Sequence, residues 1–157
     1  DLVVLWHKEL INVLPNEQLL GQWRECVSIA TKLADYGTPR HILVNKINDY
    51  PIDHFYCYTM DYVYNEITRR KYNVKGSTLK KFEGCMYLAS GRNNFSNISY
   101  NDLFQGWHTT RYLAQCVLNL EEKYDCGGIS YEEWFRVLSK VKNCSEFCNE
   151  TFNSLFL

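Results

Sequence analysis

The chain has 157 residues, 46% of them hydrophobic and 15% aromatic, which predicts a single domain, 1–157, with a well-filled core. Its 17 lysines and arginines against 18 aspartates and glutamates give a net charge of −1, which is untypical of a protein that grips nucleic acid with a broadly basic surface. No stretch reaches the roughly 18 consecutive apolar residues of a membrane span, and no signal-peptide pattern is visible, so we expect neither a membrane protein nor a secreted one.

The first predicted element is a helix from about residue 17 to about residue 34, with Asn16 as its cap. Apolar side chains recur along it at three- and four-residue steps, which predicts one buried face. This face consists of Leu19, Leu20, Trp23, Cys26, Val27, Ala30, Leu33 and Ala34. The polar positions form two neighbouring stripes, one of Gln18, Gln22 and Glu25 and one of Glu17, Gly21, Arg24 and Ser28. Because Gly21 lacks a side chain, a ligand or another backbone could approach this face, which is otherwise simply solvated.

A second helix is predicted from Pro51, a favourable residue for a first helical turn, to about Tyr72. Its apolar and aromatic positions suit a helix that packs on the first one. The following residues, 76–98, contain three glycines and several polar residues in a row, so we expect an irregular connection there.

Two more helices complete the predicted fold, which is mainly α. The third is expected to run from a cap at Ser99 to about Leu118, and the fourth is opened by Ser130 and Glu133 in a capping-box pattern. Residues 122–133 fit a calcium-binding loop at its glycine and at its last glutamate, but a tyrosine and a cysteine occupy ligand positions. We therefore expect no calcium site.

The seven cysteines do not have the paired spacing of a zinc site, so we expect no bound metal. Those on predicted helices, which we expect to be small core residues, are Cys26, Cys57 and Cys116. Near the end of the chain, Cys144 and Cys148 could pair with each other or with Cys126. Reduced thiols are the expectation, because the total is odd.

One basic cluster could contact an anion. It consists of Arg69, Arg70, Lys71, Lys75, Lys80 and Lys81. Because this cluster begins at a predicted helix end, complementation of the helix dipole explains it simply, and we favour that interpretation over a DNA-binding patch. The tyrosines of the second helix, Tyr56, Tyr58 and Tyr62, are expected on helix faces, with stacking on bases as the alternative.

Residues 5–7, Leu-Trp-His, and 18–26, Gln-Leu-Leu-Gly-Gln-Trp-Arg-Glu-Cys, resemble the pyrimidine-dimer DNA glycosylase family. This family includes the phage endonuclease V type and bacterial relatives with an N-terminal Leu-Trp-His. Residues 41–45, 50–51 and 55–72 follow in the same order and at similar spacing as in the bacterial members. The resemblance extends over about residues 5–75.

The resemblance implies a compact helical enzyme that flips a nucleotide out of damaged duplex DNA and cuts the glycosidic bond at a pyrimidine dimer. In this family the nucleophile is the α-amine of the N-terminal residue, which forms a Schiff base with the sugar, and a glutamate assists the cleavage of the strand. That glutamate corresponds to Glu25, and the DNA-contacting arginine corresponds to Arg24. We expect Gln18, Gln22 and His41 on the DNA-binding surface, no cofactor, and an intracellular location.

These residue types suit such chemistry. An α-amine with a pKa of about 7.7–8.0 is partly uncharged at neutral pH, so it can attack without strong activation. A nearby carboxylate can move the proton, and a guanidinium can donate two parallel hydrogen bonds to a phosphate. Of the histidines, His7 and His41 lie in family-like segments and could line the DNA-facing site, whereas His54 and His108 are interpreted as structural.

The position of the amine separates two hypotheses. Alignment on Arg24 and Glu25 places the phage-type N-terminal residue opposite Val4 and the bacterial methionine opposite Val3. Three extra residues span about 10–11 Å, so we expect an active chain to carry its amine at Val3 or Val4 after processing. The alternative is a catalytically silent member of the fold that serves, with protein partners, as a structural or interaction subunit, for instance of a virus particle. The neutral net charge favours this alternative.

Overall fold

The computed structural model describes residues 5–36, 44–91, 95 and 97–143. Its α-helices are α1 (Asn16–Tyr36), α2 (Ile52–Cys57), α3 (Asn65–Arg69), α4 (Gly76–Ala89), α5 (Thr110–Asp125) and α6 (Tyr131–Asn143). A π-helical segment, Tyr58–Tyr64, joins α2 to α3, and two 3-10 helices occupy Lys8–Val13 and Val44–Asp49. The described part of the chain contains no β-strand, which confirms the predicted mainly α fold.

The core is shared by both halves of the chain. Its buried side chains run from Leu5 before the first 3-10 helix to Val141 in α6. The segment around the first 3-10 helix is itself part of this core, since Leu10 and Leu14 are fully buried. One domain over 1–157 stays a prediction, and the shared core favours it.

Helix α1 has the predicted buried face, with two additions. Leu19, Trp23, Cys26, Val27, Ala30 and Leu33 are buried, while Leu20 and Ala34 are half-buried. The additions are Ile29 and Gln22. Asn16, expected as the cap, is the first residue of the helix, and the carbonyl of the preceding Pro15 accepts the first backbone hydrogen bond, from Leu19.

The predicted second helix is confirmed as one helical path, Ile52–Arg69, with Pro51 directly before it. Inward positions along this path include Phe55, Tyr58, Val63 and Ile67. The step from Tyr58 to Val63 is five residues, which matches the wider π-helical turn between them. The π segment therefore keeps both of these side chains in the core.

The prediction of an irregular connection over 76–98 is wrong for its first half, because helix α4 occupies Gly76–Ala89. Its glycines do not prevent this, since Gly76 is the first residue of the helix and Gly84 faces solvent. One turn apart, Phe82 and Met86 are fully buried. Burial of these two side chains against α1 outweighs the cost of glycine, which is about 1 kcal/mol in a helix interior.

The third helix begins at Thr110 and not at the predicted Ser99. Residues 99–108 instead form turns in which Phe104 and Gly106 have positive φ values of 52° and 89°. The actual cap is Thr109, whose side-chain oxygen accepts a hydrogen bond from Tyr112 N at 3.2 Å. The prediction failed because Leu103 and Trp107, four residues apart and both buried, have the spacing of an amphipathic helix.

The capping box of the fourth helix is confirmed. Glu133 N donates to Ser130 Oγ at 3.1 Å, and Ser130 N donates to Glu133 Oε1 at 2.9 Å. The glutamate of the calcium-like loop is thus occupied in capping α6, whose first helical residue is Tyr131.

Arg70 belongs to the predicted basic cluster, but its guanidinium makes hydrogen bonds within the protein. Its guanidinium donates to Leu14 O at 2.7 Å and to Asn16 Oδ1 at 2.8 Å, which ties α3 to the start of α1. Both Arg70 and Arg69 also bind the buried carboxylate of Glu66. Burial acts to raise the pKa of Glu66, but hydrogen bonds from the two arginines outweigh it and hold that pKa below its usual value. Two of the six cluster cations therefore bind a carboxylate of the fold, which cancels one of their two positive charges.

The end of α3 offers a test of backbone strain. Lys71 has a φ of 63°, and the next residue, Tyr72, donates its N–H to Ile67 O at 3.1 Å in the arrangement that usually has glycine at the left-handed position. We predict that Lys71→Gly raises the free energy of unfolding by about 0.5–1 kcal/mol. Urea unfolding followed by circular dichroism measures this. The matched control is Lys81→Gly in the interior of α4, which should lower it by about 1 kcal/mol.

Candidate active site on helix α1

The two residues implied in catalysis and DNA contact lie on the solvent side of α1. Arg24 is exposed, and Glu25 is partly exposed at the border of the core. The next residue, Cys26, is fully buried, and burial raises the pKa of its thiol to about 12. A thiol that stays protonated is a poor nucleophile, so the reactive groups of this stretch are the carboxylate and the guanidinium.

Gly21 makes the polar face of α1 flat beside Arg24. A Cβ atom placed on Gly21 would lie 3.7 Å from Nη2 of Arg24, and apart from the neighbouring residues and the backbone of α1 itself no other described atom lies within 4 Å of it. The guanidinium therefore extends back over the glycine. Such a surface can admit an extended phosphodiester backbone close to the helix.

The segment Leu5–Trp6 runs beside α1 and is held by side chains from three elements. Gln22 of α1 is only 3% exposed, and its Oε1 accepts a hydrogen bond from Trp6 N at 2.7 Å. From the π segment, Tyr58 donates to Trp6 O at 2.6 Å and lies 3.1 Å from Gln22 Oε1. From α5, the hydroxyl of Tyr112 donates to Leu5 O. We call Gln22, Tyr58 and Tyr112 the segment clamp.

The predicted DNA-contacting residues thus occupy different environments. Arg24 faces solvent, whereas Gln22 lies inside the protein as part of the segment clamp. Gln18 is half-buried, and its Oε1 has no hydrogen-bond partner among the described residues. The structure brings Gln18, Gln22 and Glu25 to one side of α1, as their spacing predicts. His41 lies outside the described residues.

Two buried histidines support the clamped segment. The ring of His7 stacks on that of His108 with centroids 5.0 Å apart, and Nδ1 of His108 accepts a hydrogen bond from Lys8 N at 3.0 Å. Burial lowers the pKa of His7 to about 4 and that of His108 well below its usual value. Both rings are therefore neutral at pH 7. The structural interpretation of His108 is supported, and His7 is buried in the same way.

Side-chain hydrogen bonds of Lys8 and His54 connect the turn at 99–108 to the rest of the fold. The Lys8 ammonium donates to Leu103 O at 2.8 Å and to Tyr100 O at 3.0 Å. Nδ1 of His54 accepts a hydrogen bond from Phe104 N at 3.1 Å, and burial lowers the pKa of this histidine as well. His54 is thus structural, as expected from its helical context.

The tyrosines of the second helix lie in the core or pack against it. Tyr58 is fully buried, and Tyr56 stacks on Phe95 with centroids 4.1 Å apart. Tyr62 is half-buried and stacks on Tyr58 with centroids 6.4 Å apart. Their hydroxyls and rings serve the fold, so base stacking finds no support at these positions.

The other thiols agree with the sequence expectation where the structure describes them. Cys57 and Cys116 are buried, and burial raises the pKa of each thiol to about 12. Cys144 and Cys148 lie outside the described residues. Over the described ranges, no group of three or more His, Cys, Asp or Glu side chains has the arrangement of a metal site. None of the helices described is long and apolar enough to span a membrane.

The buried histidines predict a loss of stability in acid. An unfolded chain binds a proton to His7 near pH 6.5, whereas the folded chain does so only near pH 4, so unfolding becomes more favourable as the pH falls through this window. From pH 7 to pH 5 this one group lowers the free energy of unfolding by about 2 kcal/mol. Urea titrations at several pH values test this prediction.

A matched variant keeps that test specific. In His7→Asn the side-chain oxygen can still accept the Glu9 N–H that His7 Nδ1 now accepts at 3.1 Å, but the group no longer titrates. The pH dependence should become shallower in this variant. An equal slope in both proteins would contradict the assignment to His7.

Comparison with known proteins gives a partial match to one family. Residues 3–79 match the family model described as pyrimidine dimer DNA glycosylase, a stretch that contains Arg24, Glu25 and two members of the segment clamp, Gln22 and Tyr58. Searches of curated proteins and of solved structures find no match to the chain. The chain is therefore similar to the pyrimidine dimer DNA glycosylase family over residues 3–79, slightly less than half of its length, and α4, which begins at Gly76, is the last helix that this match reaches.

Proposed function

We propose that this protein is a pyrimidine-dimer DNA glycosylase with abasic-site lyase activity, which uses a backbone α-amine as nucleophile and Glu25 as the acid–base group. The observation that carries the proposal is the hydrogen bond that joins the segment Leu5–Trp6 to Gln22, three residues before Glu25 on α1, within the stretch that matches the family. Arg24, on the same face, would hold a phosphate of the duplex. The reaction needs no cofactor.

The covalent chain limits how far the amine can be from Glu25. Trp6 N is hydrogen-bonded to Gln22 Oε1, and an amine on Val4 is two residues upstream, hence at most about 7 Å from Trp6 N. Glu25 follows Gln22 by three residues, a rise of about 4.5 Å along α1. The proposal therefore requires that an amine at Val3 or Val4 share a sugar with the Glu25 carboxylate. The family match itself begins at residue 3.

The chemistry follows from these two groups. The uncharged amine attacks C1′ of the damaged nucleotide, and the glycosidic bond breaks with its electron pair on the leaving base. The sugar ring opens as O4′ leaves C1′ and takes up a proton, which gives a protonated imine. Removal of a C2′ proton, for which Glu25 is the acceptor, then expels the 3′ phosphate by elimination. Water hydrolyses the imine and restores the amine.

DNA contact would rest on a few side chains and not on overall charge. Arg24 suits a phosphate because its planar guanidinium donates paired hydrogen bonds. The Oε1 of Gln18 is buried and without a hydrogen-bond partner among the described residues, so a contact between Gln18 and DNA stays a prediction. Four cations of the basic cluster do not bind Glu66 and are exposed. They are Lys71, Lys75, Lys80 and Lys81. A His41 contact stays a prediction.

A second candidate function is a catalytically silent subunit of an assembly, for instance of a virus particle. Two observations favour it, because both reduce the positive charge that could face DNA: Arg69 and Arg70 form ion pairs with Glu66, and the net charge of the chain is −1. In this case the protein partners would replace DNA. The retained pair of Arg24 and Glu25 argues against it, because their exposed and partly exposed positions are not needed for packing.

Borohydride trapping tests the proposal directly. The protein is incubated with a duplex that carries an abasic site, and separately with one that carries a pyrimidine dimer, and borohydride reduces any imine to a stable amine. We expect a covalent adduct on both duplexes, and a fall in strand cleavage of at least about 100-fold in Glu25→Gln. Glu17→Gln, an exposed glutamate in the first turn of α1, is the matched control and should keep full activity.

The same experiment can reject the proposal. Intact mass establishes the amino-terminal residue of the purified protein, and a chain that begins at Val4 is tested beside the full chain. Absence of an adduct with both chains, together with absence of salt-sensitive binding to either duplex, would establish the silent alternative.

The flat surface at Gly21 gives an independent test. Gly21→Ala should raise the free energy of unfolding by about 0.5–1 kcal/mol, because alanine favours the helix and its Cβ meets only an ordinary contact at 3.7 Å. If DNA approaches there, the same change weakens binding to abasic duplex roughly 3- to 10-fold, or about 0.7–1.4 kcal/mol. Fluorescence anisotropy measures the affinity. Gly84→Ala in α4, where a Cβ meets no atom within 4 Å, should stabilise similarly and leave affinity unchanged.

A further inference from the structure

We infer that the segment clamp, Gln22, Tyr58 and Tyr112, consists of positioning residues that fix the backbone of Leu5–Trp6 and thereby the reactive amine relative to Glu25. This inference rests on the proposed function for its catalytic consequence. The hold on the segment itself can be measured independently of any activity. None of the three side chains needs to touch DNA for this role.

The clamp bonds the carbonyl and the N–H of the Leu5–Trp6 peptide group and the carbonyl of the peptide group that follows it. Gln22 Oε1 accepts the N–H of Trp6, Tyr58 donates to the carbonyl of the same residue, and Tyr112 donates to the carbonyl of Leu5. A phenol has one proton, so the 2.6 Å contact to Trp6 O is the donated bond of Tyr58, and its 3.1 Å contact to Gln22 Oε1 is weaker. The side chains come from α1, the π segment and α5, and so constrain the segment from three sides.

The buried carboxamide of Gln22 is costly unless it has a specific role. Only 3% of its surface is exposed, and a leucine could pack at this buried position of α1 without any polar group to satisfy. A buried polar network in which every group is bonded is a means of selecting one geometry. Gln22 thus contributes by fixing the position of the Trp6 backbone, and not by burying apolar surface.

The π-helical segment sets the position of Tyr58. This residue begins the segment, and the five-residue step to Val63 keeps both side chains in the core. Single π-helical turns are rare and are frequently found at functional sites. Here the wider turn places the phenol of Tyr58 against the segment that would carry the amine.

A loosened segment would affect the reaction more than DNA binding. A displacement of about 1 Å in a reacting group can cost about 100-fold in rate. Arg24, on the outer side of α1, does not depend on the clamp for its contact with a phosphate. Loss of the clamp should therefore lower the maximal rate and leave the dissociation constant of the duplex nearly unchanged.

The first measurement is hydrogen exchange at the Trp6 amide in the full chain. Gln22→Leu removes the acceptor of this amide, and we expect its exchange to accelerate roughly 10- to 100-fold, as for the loss of one buried hydrogen bond. Exchange of core amides in α1 should change less. An unchanged rate at Trp6 would overturn the inference whatever the activity of the protein.

The second measurement is single-turnover cleavage of an abasic duplex at saturating and at limiting protein. Tyr58→Phe and Tyr112→Phe should each lower the maximal rate about tenfold or more, with affinity unchanged within about twofold. The control is Tyr62→Phe, the same substitution in the π segment at a half-buried residue outside the clamp, and it should leave both constants unchanged. All variants are compared at a temperature where circular dichroism shows them folded.

The outcomes separate this inference from the proposed function. The inference is supported if the clamp variants cleave more slowly with unchanged affinity while Tyr62→Phe does not. Equal rates in clamp and control variants would overturn it. If the unmodified protein forms no adduct while Gln22→Leu still accelerates exchange at Trp6, the proposed function fails and the hold on the segment stands.

Discussion

The hydrogen bond from Trp6 N to the buried Oε1 of Gln22 is the interaction on which the rest of this structure depends. It joins the segment before the first 3-10 helix to the middle of α1, one turn before Glu25. Because both partners are buried, the bond has no competition from water, and loss of either partner leaves a polar group unsatisfied at a cost of about 1–3 kcal/mol. Tyr58 and Tyr112 extend the same hold to the adjoining carbonyl groups.

The second half of the chain supports this arrangement although it lies beyond the family match. His108 accepts the N–H of Lys8, and Tyr112 donates to Leu5 O across a separation of 107 residues. On the other side of α1, Phe82 of α4 packs against Trp23 with ring centroids 5.8 Å apart. The matched half thus supplies the candidate chemistry, and residues beyond it complete the core that holds that chemistry in place.

Charge distribution separates the roles of the arginines. The guanidinium of Arg70 donates hydrogen bonds to the Leu14 carbonyl, just before α1, and to Glu66. The guanidinium of Arg24 lies over Gly21 on the solvent side of α1. A net charge of −1 is compatible with DNA contact only if a few well-placed cations carry it. The site therefore depends on local geometry more than on a general electrostatic attraction, which also explains why composition alone suggested a silent protein.

Sequence reasoning succeeded where the signal is local. Helical periodicity placed Arg24 and Glu25 at the solvent side of α1, and the Ser130–Glu133 pattern identified a true capping box. It failed where contacts with distant residues determine the local structure, as in α4. The glycines of this segment predict a loop, but burial of Phe82 stabilises a helix there. No local pattern could show that Gln22, in a polar stripe, is turned inward.

The location of the trapped sugar tests the central claim most directly. After borohydride reduction on an abasic duplex, peptide mass mapping identifies the nitrogen that carries the reduced sugar. The account predicts a single modified peptide, the amino-terminal one, with the sugar on its α-amine. An adduct on a lysine side chain, such as exposed Lys32 of α1, would contradict the assignment of the nucleophile and the role of the clamped segment in placing it.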